Sequence, residues 1–131
     1  MRGVLMEISA KIYTSYFENL ENLPSDVVPI AICVKSPEDY LGLEYKKLAP
    51  KRGFFNKWKY EGYSNEYCIE HFNAEVLSGL DPHNVVKELL FLSQGKSLVM
   101  LCYEKPGEFC HRFLVSDWLN SFGYAVEEYR A

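Results

Sequence analysis

Two short and almost wholly apolar runs constrain the fold of this 131-residue chain most strongly; they occupy residues 27–34 and 97–102. Apolar runs of this length without polar alternation are typical of strands that other layers cover on both faces. Residues between the two runs include segments of helical periodicity, and a right-handed crossover between parallel strands places such helices on the faces of the sheet. The sequence therefore predicts an α/β fold, a three-layer sandwich with a mostly parallel sheet of about four strands flanked by helices.

Shorter patterns predict the remaining elements. β-branched and aromatic residues indicate strands, and an apolar residue at every third or fourth position indicates a helix. The segment 46–59 has no clear periodicity and is predicted to be mostly loop. No linker or repeat interrupts the pattern, so residues 1–131 are predicted to form a single domain. Further strands are predicted at 11–15 and 124–129, and helices at 17–23, 36–42, 64–77, 82–95 and 110–122.

We expect neither a membrane-spanning segment nor a signal peptide in this chain. No apolar run approaches the roughly 20 residues that a membrane helix needs. Residues 1–7 have no signal-peptide pattern, and translation from Met6 in place of Met1 would remove little. We therefore expect a cytoplasmic protein with no membrane partner, in which the cysteines are reduced thiols. The four are Cys33, Cys68, Cys102 and Cys110.

Charge is distributed unevenly along the sequence. The formal net charge is −4, yet segment 46–59 holds six of the 14 basic residues and no acidic one. An acidic protein with one basic segment does not coat nucleic acid generally, but it can bind an anion locally. Aromatic residues interleave with these cations, which suits stacking on bases. The alternative is that the aromatics pack inward while the lysines stay in water, and the pattern slightly favours it. The aromatic residues are Phe54, Phe55, Trp58 and Tyr60.

The best candidate site is a string of eleven residues that runs from a predicted strand end into a predicted helix. Cys102, Glu104, Cys110, His111 and Arg112 all lie in it. A helix N-terminus favours the thiolate form of Cys110, which makes this residue the preferred nucleophile, more so beside an imidazolium. Arg112 suits a phosphate, and Glu104 could orient its neighbours or act as a general base.

Each of these residues also has a structural interpretation. His111 falls on the apolar stripe of its helix and could be a core histidine with both nitrogens hydrogen-bonded. Arg112 could form a salt bridge, for instance with Glu108. Zinc is a further alternative, because Cys68 and His71 add to the suitable ligand types. The pattern disfavours a metal site, since adjacent helical residues diverge by about 100° and Cys110 would point away from its neighbour.

From Ile12 to Tyr129 the chain resembles the family known as domain of unknown function 488 (YeaO-like). The resemblance is carried by the strand into Cys102-Tyr-Glu104 and by Cys110-His111-Arg112 opening a helix. It implies a small α/β fold with this block as its site, and no established activity. The family's usual acid-x-Arg after the second strand appears here as Cys33-Val-Lys35, so this chain lacks that carboxylate and that guanidinium.

These patterns lead to two hypotheses. In the first, the protein is an enzyme with no cofactor that acts on a phosphate-bearing ligand, a nucleotide or nucleic-acid end. Its chemistry would be cysteine-dependent, with the ligand bound by Arg112, Lys35, Lys51 and Arg52. In the second, it is a non-catalytic nucleic-acid-binding or accessory module that uses segment 46–59. The sequence names neither a substrate nor a protein partner.

Overall fold

The computed structural model describes residues 10–130 and builds them around a five-stranded, wholly parallel sheet. The expectations for residues 1–7 and for the alternative start lie outside that range. The strands are β1 (Ile12–Tyr16), β2 (Val28–Ala31), β3 (Leu43–Glu44), β4 (Leu98–Cys102) and β5 (Val126–Glu128), and the helices are α1 (Arg52–Tyr60), α2 (Asn65–Glu75), α3 (Pro82–Leu92) and α4 (His111–Ser121).

Strand β4 is the centre of the sheet, whose order is β3-β2-β4-β1-β5. All five of its residues are buried, as its uninterrupted apolar sequence predicts. It pairs with β1 from Ile12 opposite Leu98 to Tyr16 opposite Cys102, and with β2 on its other side. The carboxyl ends of these strands therefore meet at one edge of the sheet.

The two faces of β4 contribute to different hydrophobic clusters. Leu98 and Met100 belong to the main core beneath the α-helices. Val99 and Leu101 point to the opposite face, where the covering residues come from a 3₁₀ helix (Phe17–Asn22) and the loop before β3. The protein is thus a three-layer α/β sandwich, which confirms the predicted fold class.

Two local predictions were wrong. Residues 36–42 form turns in place of a helix, because Ser36 donates its hydroxyl proton to Glu44 and Tyr40 bonds the carbonyl of Leu43. These contacts lead into β3, a fifth strand of two residues that is too short to leave a pattern in the sequence.

Segment 46–59 is not mostly loop, since most of it lies in helix α1. Phe54 is buried in the main core, and Trp58, one helical turn later, packs edge-on against Phe109. Burial of aromatic residues four apart stabilises a helix whose other positions are largely basic. The lysines and Gly53 obscured that spacing.

None of the helices within residues 10–130 has the length and apolar character needed to cross a membrane.

Alanine substitution of two glycines, one inside α1 and one with a positive φ, tests whether α1 is a helix. Gly53 lies inside the helix, and an added Cβ would meet no atom within 4 Å. Gly53→Ala should therefore raise the free energy of unfolding by about 0.5–1 kcal/mol. Gly123 has a φ of +98°, so Gly123→Ala should lower it by roughly 1–2 kcal/mol. Urea denaturation measures both changes, and a loss of stability in Gly53→Ala would contradict the helix.

Candidate functional site

A cleft of about 400 Å³ opens where β2 and β4 end. The chain leaves β2 toward β3 and leaves β4 toward β5, on opposite sides of the sheet. Open parallel sheets bind ligands at the carboxyl edge between two such strands. The residues that line the cleft are Cys33, Val34, Lys35, Arg52, Phe55, Asn56, Lys59, Tyr60, Cys102, Tyr103, Glu104 and His111.

One side of helix α1 forms a wall of the cleft. Its lining residues are Arg52, Phe55, Asn56, Lys59 and Tyr60, which recur at the three- and four-residue spacing of a helix face. Because a loop was predicted here, Asn56 was not identified as a lining residue, and these side chains were not placed on one helix face. The signal that could have revealed it is the spacing itself, since 52, 55, 56, 59 and 60 fall on one stripe.

Positive charge predominates among the lining residues. Lys35, Arg52 and Lys59 face one carboxylate, that of Glu104. The Lys59 ammonium lies 3.1 Å from a Glu104 oxygen and neutralises it. Lys35 and Arg52 therefore leave the cleft with a net positive charge in a chain that is acidic as a whole. Glu104 binds Lys59 through its side chain, whereas its backbone carbonyl accepts a hydrogen bond from Arg112.

The structure brings the thiols and the imidazole of the predicted site together at the floor of the cleft. The sulfurs of Cys102 and Cys110 are joined as a disulfide, so the expectation of reduced thiols was wrong for this pair and holds for Cys33 and Cys68. His111 Nδ1 lies 4.0 Å from the Cys110 sulfur. Both sulfurs are deeply buried, each residue with 1% of its surface exposed, and of the two only Cys102 lines the cleft. Cys33 packs beside the pair, and burial raises the pKa of its thiol.

Cys110 precedes helix α4 and does not belong to it. It is the N-cap residue, with the extended backbone angles φ −150° and ψ 141°. The helical divergence of about 100° therefore does not apply between Cys110 and His111. The geometric argument against their sharing an ion no longer holds.

His111 is a buried, neutral imidazole. Its Nε2 lies 2.7 Å from the carbonyl oxygen of Ile32, so Nε2 carries the proton and donates it. Burial lowers the pKa of His111 to about 4, helped by the Arg112 guanidinium and opposed by the bond to Ile32. No imidazolium therefore assists Cys110, contrary to the sequence expectation, and the Nδ1 lone pair is directed at the sulfurs of the disulfide.

Arg112 is fully buried and bound by protein groups. Its guanidinium forms a bidentate ion pair with Glu128, with N–O distances of 3.0 and 2.9 Å. Nη1 also donates to the Glu104 carbonyl and lies 3.5 Å from the Cys102 sulfur. A salt bridge was the structural alternative for Arg112, with Glu108 as an example, and the partner in the structure is Glu128. In this arrangement Arg112 positions the site and does not reach the cleft.

The other predicted ligand-binding residues separate into two groups. Lys35 and Arg52 line the cleft, whereas Lys51 lies beside a different depression, near Pro50 and Leu80. Cys68 and His71, the other pair considered for zinc, are not part of the donor group that Cys102, Cys110 and His111 form within residues 10–130, and His71 Nδ1 contacts Glu75 instead.

A comparison with known families gives a match over most of the chain. Residues 20–123 match the family model DUF488-N3a, described as "Active DUF488-N3 subclade". The match covers well over half of the chain, so the protein belongs to this family, and the resemblance expected from its terminal block is confirmed. Neither a curated protein nor a solved structure matches the chain.

The Arg112–Glu128 pair should dominate local stability. Arg112→Leu or Glu128→Gln leaves one partner buried without its counter-charge, so each should lower the free energy of unfolding by about 3–5 kcal/mol. The double variant should lose less than the sum of the two. Lys47→Ala, which removes the exposed ion pair to Glu88, is the control and should change little. Additive losses in urea denaturation would contradict the coupling.

Proposed function

We propose that this protein is an enzyme that binds a phosphate-bearing ligand, a nucleotide or a nucleic-acid end, in the cleft between β2 and β4. The observation that carries the proposal is the convergence of Lys35 and Arg52, both cationic, on a cleft whose floor holds Cys102 and His111. Anion-binding groups thus lie beside groups that are capable of chemistry. The family is described as an "Active" subclade, which is consistent with catalysis.

The rim of the cleft favours a ligand with a flat ring. Phe55, Tyr60 and Tyr103 line it, and the side chains of Tyr60 and Tyr103 are 75% and 47% exposed. Aromatic faces that are accessible beside cations suit a base stacked next to its phosphate. Asn56 adds an amide that can donate to and accept from a base edge.

The chemistry is assigned to the group at the floor of the cleft, and it depends on cysteine. Cys102 is the cysteine assigned to the ligand once it is reduced, since it lines the cleft and Cys110 does not. The neutral imidazole of His111 has its Nδ1 lone pair free to accept a proton. This reverses the roles expected from sequence, where Cys110 is the preferred nucleophile.

The alternative, a non-catalytic nucleic-acid-binding module, has weaker support. Of the cations in segment 46–59, Lys46 donates to backbone carbonyls, Lys47 pairs with Glu88, and Lys59 pairs with Glu104. Half of the six basic residues are thus occupied within the protein. A general phosphate-binding surface needs them free.

Binding of adenosine monophosphate and of a 5′-phosphorylated oligonucleotide tests the proposal by calorimetry. Arg52→Gln should weaken binding of both about tenfold or more, because a charge-assisted hydrogen bond to phosphate is lost. Lys51→Gln is the matched control, since the neighbouring cation lies outside the cleft, and it should bind like the parent chain. Equal losses in the two variants, with strong dependence on salt, would favour the nucleic-acid module instead.

Catalysis needs a separate measurement. The protein, with its thiols reduced, is incubated with nucleoside mono-, di- and triphosphates and with the oligonucleotide, and products are identified by mass spectrometry. Conversion that disappears in Cys102→Ser and survives in Cys68→Ser supports the assignment, because Cys68 is buried and does not line the cleft. Binding without any product would overturn the enzymatic part of the proposal.

A further inference from the structure

The floor of the cleft contains three donor atoms arranged as a metal site. Within residues 10–130, the sulfurs of Cys102 and Cys110 and a ring nitrogen of His111 all lie within 4.8 Å of one another. Tetrahedral zinc has bonds of about 2.3 Å to sulfur and 2.0–2.1 Å to nitrogen, so its ligand atoms are roughly 3.5 Å apart. Small side-chain movements in the reduced protein bring the three atoms to that spacing.

The imidazole is already oriented for a metal. His111 Nε2 donates to the Ile32 carbonyl at 2.7 Å, which fixes the ring and leaves the Nδ1 lone pair toward the sulfurs. A backbone carbonyl that holds the second nitrogen is the usual outer partner of a metal-bound histidine. An ordinary core histidine has no need to face two sulfurs in this way.

The surroundings of the sulfurs suit thiolates. Arg112 Nη1 lies 3.5 Å from the Cys102 sulfur, and Cys110 occupies the N-terminus of α4. A guanidinium and the positive end of a helix both favour negatively charged sulfur. The Cα atoms of the two cysteines are 7.6 Å apart, beyond the roughly 4.4–6.8 Å usual for a disulfide. An ion between the sulfurs spans such a separation more easily.

We propose that Cys102, Cys110 and His111, with both cysteines reduced, bind one zinc ion whose fourth position faces the cleft. Two cysteines and one histidine with an open position are typical of catalytic zinc. Cys102 and His111 both line the cleft, which makes that position accessible. This inference goes beyond the proposed function and does not depend on the ligand being a phosphate compound.

The test uses the full chain, reduced, freed of metal with a chelator and then separated from both reagents without exposure to oxygen. Titration with zinc should saturate at one ion per chain by elemental analysis. Titration with cobalt should give the charge-transfer absorption of thiolate–cobalt bonds and the intense visible bands of tetrahedral coordination. Excess zinc should abolish both signals.

Variants separate the site from its surroundings. Cys102→Ser, Cys110→Ser and His111→Asn should each weaken zinc binding at least tenfold, since a ligand is lost. Cys68→Ser, and Cys33→Ser beside the cluster, keep all three ligands and should bind zinc like the parent chain. Circular dichroism confirms that each variant is folded, and the cobalt spectrum of the parent protein reports thiolate ligation even where a variant fails to fold.

The outcomes distinguish this inference from the proposed function. Less than about 0.2 zinc per reduced chain, or equal weakening in Cys68→Ser and Cys102→Ser, overturns the metal site and leaves nucleotide binding untouched. One zinc per chain together with no nucleotide binding supports the site and removes the proposed ligand. If both hold, Cys102, Cys110 and His111 act as ligands of the ion in place of the thiol and base roles proposed above, and Cys102→Ser loses zinc and activity together.

Discussion

The buried guanidinium of Arg112 is the interaction on which the candidate site depends. It connects the first turn of α4 to Glu128 on β5, and Thr14 on β1 donates to the same carboxylate. Through Nη1 it also holds the carbonyl of Glu104, at the point where the chain leaves β4. One side chain thus fixes the start of α4 relative to three strands, and the positions of Cys110 and His111 follow from it.

Burying the Arg112 guanidinium has a large desolvation penalty, which explains why it has so many interaction partners. A charged group without exposure to water must recover its lost hydration through close contacts. Arg112 has the carboxylate, a carbonyl, a sulfur and the ring of Phe113 at 4.4 Å. These contacts hold parts of the fold together, although the residue type suggests phosphate binding.

The sequence predicts the main features of the fold and part of the site. The apolar run of β4 is decisive, because a short apolar run without polar alternation is typical of a buried central strand. A site at the carboxyl end of that strand follows from the order of strand and helix. Cys102, Glu104 and His111 do line one cleft, together with Lys35 and Arg52. The partner of Arg112 could not be inferred, since it requires knowing that β5 returns beside β1. Helix α1 was missed because its buried residues, Phe54 and Trp58, are separated by lysines that mask the spacing.

The lengths of the two edge strands affect whether molecules of this protein can associate through their sheets. β3 is two residues long and β5 three, so neither border offers the extended backbone ladder that another chain needs for intermolecular strand addition. An open parallel sheet with long borders would invite edge-to-edge aggregation. Here both edge strands are too short for such pairing, and within residues 10–130 their brevity alone protects the sheet.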